Sequence, residues 1–77
     1  MMLRVLFKMD IIKVNLDRIL KDRGITSKEL AERIGITEAN LSILKTGKAK
    51  GIRFNTLISI CRELDCQPGD ILEYQKE

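Results

Sequence analysis

Between Ala39 and Arg62 the chain carries five cations and no carboxylate: Lys45, Lys48, Lys50, Arg53 and Arg62. The whole chain of 77 residues has a formal net charge of +3, so the remainder is slightly acidic. Cations gathered on one segment suit the phosphates of a polyanion. The plainer reading is a solvated loop that happens to be basic. Lys45, Lys48, Lys50 and Arg53 fall in and just after the end of a helical pattern, and Ser27 and Lys28 open another. The first N–H groups of a helix have no partner within it and favour an anion. Ser27, Lys28, Lys45, Lys48, Lys50 and Arg53 are therefore the expected phosphate contacts.

Other chemistry is sparse. There is no histidine, so the commonest general base is missing, and Ser27, Ser42 and Ser59 lack a partner for nucleophilic attack. Asp17, Asp22, Glu29, Glu32 and Glu63 stand beside basic residues at helix-surface spacings and read as solvated faces and local ion pairs. Gly47 and Gly51 flank lysines without forming a phosphate-loop signature. Cys61 and Cys66 have no second cysteine pair or histidine to complete a zinc site. Cys61 shares an apolar face with Leu57, Ile60 and Leu64, and Cys66 lies just before Pro68, so both are expected to be small buried thiols. No catalytic site, metal site, cofactor or small-molecule ligand is expected.

These residues need a scaffold. The length allows one small core, and 44% hydrophobic with only 4% aromatic residues favours helices over a sandwich or barrel. No apolar run reaches the roughly 20 residues of a membrane span, and Met1–Phe7 is too short for a signal sequence. A cytoplasmic protein is expected. Residues 1–9 read as a poorly ordered or partner-contacting extension, with Met9 an alternative initiator, and 10–77 as one domain.

The first helix is expected over Leu16–Arg23, with Asn15 as its cap and Gly24 ending it. The second follows Thr26, where TSKE makes a capping box, and runs to about Ile34. Gly35 supplies the turn. The third follows Thr37 and runs to about Lys45, with Leu41 and Leu44 inward. Thr46-Gly47-Lys48 stops it, and Phe54 reads as a core plug beneath the loop that follows. The fourth is capped by Asn55 or Thr56 and runs to about Leu64; the fifth is one turn from Pro68. Asp10–Val14 reads as a short strand whose partner is Leu72–Gln75, with Tyr74 packing at the chain ends.

The segment TSKELAERIGITEANLSILKTGK has steric logic throughout. Counted from Ser27, the fourth position is Leu30 and the fifth is Ala31, small enough for two helices to touch. The eighth is Ile34, the ninth is Gly35, and Ile36, Leu41 and Leu44 complete the wedge. Such a pair holds one helix on the scaffold and presents the other outward. On these residues the chain resembles the lambda-repressor/Cro-type helix-turn-helix regulators, over about Leu16 to Tyr74. The stretch NLSILKTGKAKGIRFNTLISICRELDCQPGDILEY resembles small stand-alone bacterial members.

The resemblance implies an all-α, five-helix domain that binds double-stranded DNA, usually as a homodimer on a two-fold site. It implies that the helix after Thr37 enters the major groove. The base-reading positions it implies are Glu38, Ala39, Ser42 and Ile43, with Thr37 and Asn40 at the edge. Ile43 would suit a thymine methyl and Glu38 a cytosine amino group. This face carries no Gln or Arg, which leaves room for recognition through DNA shape. A protein-interaction role, as an antitoxin or adaptor, is the alternative from another class.

Overall fold

A computed structural model describes residues 10–76, so the expectation for residues 1–9 lies outside the described residues. The order is strand β1 (Ile11–Val14), helices α1 (Leu16–Arg23), α2 (Ser27–Ile34), α3 (Glu38–Lys45), α4 (Phe54–Leu64) and α5 (Pro68–Ile71), then strand β2 (Leu72–Gln75). The helices assemble around one core, to which each contributes: Leu16, Ile19 and Leu20; Leu30 and Ala31; Leu41 and Leu44; Leu57, Ile60 and Leu64; Ile71. Burying one such leucine or isoleucine contributes roughly 1.5–3 kcal/mol. The helices are so short that this shared burial, rather than intrinsic propensity, sustains them.

The wedge forms as its sequence dictates. Thr26 accepts the Glu29 N–H while the Glu29 carboxylate accepts the Thr26 N–H, both at 3.1 Å. This reciprocal pair holds the Glu29 carboxyl below its usual range, the Thr26 backbone N–H being the chief cause. Gly35, at φ 76°, turns the chain, and the Ile36 N–H reaches back to the Ala31 carbonyl at 3.0 Å. A Cβ at that backbone angle would be strained. Ala31 is almost fully buried, so α2 packs tightly against α3 and α4.

The chain ends pair antiparallel, with Ile11 opposite Gln75, Ile12 opposite Tyr74, Lys13 opposite Glu73 and Val14 opposite Leu72. Half-buried Val14 and Leu72 anchor the ribbon to the core. Asn15 stands at the cap position of α1 as expected, but its side chain makes no cap bond. Its backbone N–H donates to the Ile71 carbonyl at 2.7 Å, and its side-chain amide donates to Glu73 at 3.1 Å. It thereby locks the two chain ends together. Tyr74 is mostly exposed, and its hydroxyl donates to Asp10 at 3.0 Å.

Three further expectations are corrected. The first helical residue of α4 is Phe54, preceded by extended Arg53, so neither Asn55 nor Thr56 is the cap. Phe54 is 80% exposed and plugs nothing. At 100° per residue it lies about 90° round the helix from the centre of the Leu57–Ile60–Leu64 stripe. Half-buried Ala49 and Ile52 hold the loop to the core instead. Cys61, also on the flank of that stripe, and Cys66 are half-buried rather than buried.

Candidate nucleic-acid interface

Helix α3 separates its two faces cleanly. Leu41 is fully enclosed and Leu44 nearly so, whereas Glu38, Ala39, Asn40, Ser42 and Ile43 are all exposed. Thr37 is exposed too, and caps the helix by accepting the Asn40 N–H at 3.1 Å. All six expected base-reading residues thus lie together at the N-terminus or on the outer side of one helix. Ile43 is 47% exposed, a large aliphatic kept in water. Its carbonyl and that of Ser42 accept the Thr46 hydroxyl at 3.2 and 3.0 Å, which closes the helix.

The loop after α3 continues this surface. Gly47, at φ 77°, redirects the chain, and the Lys48 N–H returns to the Ile43 carbonyl at 3.1 Å. Lys48, Lys50 and Arg53 are exposed and have no ion pair among the described residues. Arg53 shares a shallow concavity with Asn40 and Ile43, floored by Ile36, Ala49 and Ile52. Arg53 therefore meets the outer face of α3 at one edge, and Lys48 and Lys50 stand on the loop between them in sequence.

Ser27 and Lys45 form a different arrangement. The Lys45 ammonium donates to the Ser27 hydroxyl at 2.8 Å and lies 3.0 Å from the Asp17 carboxylate. These contacts join the end of α3 to the starts of α1 and α2. Both side chains are half-buried in the free protein. Lys28 is exposed at the start of α2. Arg18 and Lys21 of α1 line a cleft with Thr26 and Ser27, putting two further cations beside that helix start. Their i, i+3 spacing on one helix was the available sequence signal. No groups of three or more metal-ligating side chains cluster among the described residues, and no described helix is long and apolar enough to cross a membrane.

A buried wedge of two helices, an outward helix and a bordering basic loop define a helix-turn-helix module. The sequence model of the Cro/C1-type HTH DNA-binding domain matches residues 15–77, and the chain belongs to that family. It is 59% identical over 66 residues to the uncharacterized HTH-type transcriptional regulator YozG of Bacillus subtilis (strain 168), spanning 86% of this chain and 79% of that one. Among solved structures it resembles the transcriptional regulator VanUg, with a TM-score of 0.73 and 28% identity over 92% of this chain and 93% of that one. It also resembles the clp gene regulator ClgR of Corynebacterium glutamicum, at TM-score 0.64 and 33% identity, over 71% of this chain and 57% of that one.

Proposed function

We propose that this chain is a sequence-specific, duplex-DNA-binding transcription regulator that acts in the cytoplasm as a homodimer and has no enzymatic activity. The observation that carries the reading is the continuity of the exposed α3 face with the unpaired cations of the following loop. In this reading α3 lies in the major groove. Ser42 and Ile43 face the base edges with Glu38 and Ala39, and Thr37 and Asn40 stand at the margin. Lys48, Lys50 and Arg53 hold phosphates on one side, while Lys28 and Ser27 hold them at the start of α2. Lys45 contributes chiefly by keeping Ser27 and α3 in place. The likeness to YozG and VanUg, both named as transcriptional regulators, supports a regulatory role.

The homodimer follows from economy of contacts. One short helix with no Arg or Gln on its outer face reads few base pairs, and a second copy doubles the readout on a two-fold site. Selection of bound duplexes from a random pool tests the whole reading. A palindromic enriched motif is the expected result. Retained binding without enrichment removes sequence specificity, and an enriched motif without symmetry removes the dimer. Absence of DNA binding even at low salt shifts the role to protein interaction, a reading to which exposed Phe54 and Ile58 on α4 give a surface.

A further inference from the structure

Four of the helices end in the same kind of turn. The backbone N–H groups of Ile25, Ile36, Lys48 and Cys66 reach back to the carbonyls of Leu20, Ala31, Ile43 and Cys61, at 3.0, 3.0, 3.1 and 3.1 Å. A left-handed residue precedes each donor: Gly24, Gly35, Gly47 and Asp65. This six-to-one bond folds the chain so that the two side chains flanking the turn meet, ordinarily as an apolar pair. At the first two turns the pairs are Leu20 with Ile25 and Ala31 with Ile36. At the last, the two positions are occupied by thiols.

We propose that Cys61 and Cys66 form a site of reversible oxidation, closing to an intramolecular disulfide across the end of α4 when the protein meets a hydroperoxide. Both thiols are free and half-buried. Both also line an open cleft with Phe54, Leu57, Ile58 and Pro68, through which a small oxidant reaches them. Burial and the adjacent Cys61 sulfur hold the Cys66 thiol above its ordinary range. In this scheme Cys66, beyond the turn, is the resolving sulfur.

The Cys61 sulfur attacks one peroxide oxygen, and its proton passes to the departing alkoxide. The O–O bond breaks, the alcohol leaves and Cys61 becomes a sulfenic acid. The Cys66 sulfur then attacks the Cys61 sulfur. The S–S bond forms, the S–O bond breaks, and the departing hydroxide leaves as water with the Cys66 proton. Two thiols are oxidised and one hydroperoxide is reduced to alcohol and water. The turn that would close also ties α4 to α1, because the Arg23 guanidinium donates to the Leu64 carbonyl at 2.7 Å and to the Asp65 carbonyl at 3.1 Å. Oxidation therefore stiffens that joint.

Trypsin provides a direct test, since it cleaves after Arg62, between the two cysteines. The full chain is treated with hydrogen peroxide, alkylated and digested. The expected product is a linked pair of peptides, 54–62 with 63–76, from protein that remains uncrosslinked between chains on a non-reducing gel. Dithiothreitol should separate the pair. Thermal unfolding of the oxidised chain should occur roughly 5–10 °C higher, because a short covalent loop constrains the unfolded chain. C61S and C66S should lose both the linked peptides and the shift in melting. Separate peptides after oxidation, or linkage found only in covalent dimers, overturns the proposal. The peptide result from the parent chain stands even if a serine variant fails to fold.

Discussion

Two cationic regions flank α3 and differ in how far the protein has already used their charge. Lys45 is enclosed between Asp17 and Ser27, at 3.0 and 2.8 Å, and its side chain is only 22% exposed. Lys48, Lys50 and Arg53 are open to solvent without an ion pair among the described residues. On the sequence, all four are equal members of one basic run. In the structure, one secures helix ends to each other and three are available to an incoming polyanion. Counterion release rewards the available charge, because an ammonium already paired gains less from a phosphate. A cation count alone therefore overstates the DNA footprint at one end of α3.

The largest effect that tests this contrast comes from the loop. Reversing both charges, with K48E and R53E, should weaken binding to any duplex by at least about 10-fold, since it replaces attraction to phosphate by repulsion. Neutral variants at the same sites should each lower the salt-dependence slope by about 1. Titrations against one duplex at several salt concentrations measure both. An unchanged slope would remove the loop from the interface. Replacing Lys45 with alanine should shift that slope less than replacing Lys48.

The enclosed cluster predicts a smaller effect, read on stability. Asp17 is largely exposed, so the Lys45–Asp17 pair contributes no more than about 1 kcal/mol, and solvent screening favours the lower part of that range. A double-mutant cycle with K45A and D17A, followed by urea unfolding, isolates the coupling. A coupling indistinguishable from zero would return Lys45 to the free cations. At the same end of α2, T26A should destabilise by about 1 kcal/mol through loss of the cap.

The pH dependence of the same box is the smallest effect. The Glu29 carboxyl is held below its ordinary range, so its folded form binds a proton later than its unfolded form. Its contribution is fully present above the usual glutamate range and is lost as pH falls through the depressed value. E29Q should remove that acid-side slope by lowering stability slightly at neutral pH while leaving it little changed at the acid end. Equilibrium unfolding across acidic pH checks it.

The buried half of the motif was legible in the sequence because each position has one steric answer. Ala31 must be small where helices touch, Gly35 must adopt positive φ, and Leu30 and Leu41 must fill the wedge. Periodicity therefore placed α1, α2 and α3 at their observed bounds and also found the terminal ribbon. Asn15 stands at the cap position the sequence indicated, but its side chain and backbone N–H bond Glu73 and Ile71 at the far end of the chain, which local spacing does not reveal. Phe54 was misread because an aromatic beside a loop suggests a plug. Ile52 and Ala49 already fill that place, which periodicity over a short loop does not reveal.

The sequence by itself determined the helical wedge, its caps and the position of the basic run. These depend on local spacing, hydrogen bonds within a few residues and the volume of single side chains. Only the tertiary structure decided which cations remain free, that Lys45 answers to Asp17, and that Asn15 joins the two chain ends. Those outcomes depend on how helix ends and chain ends that are far apart in sequence converge, which local spacing does not encode.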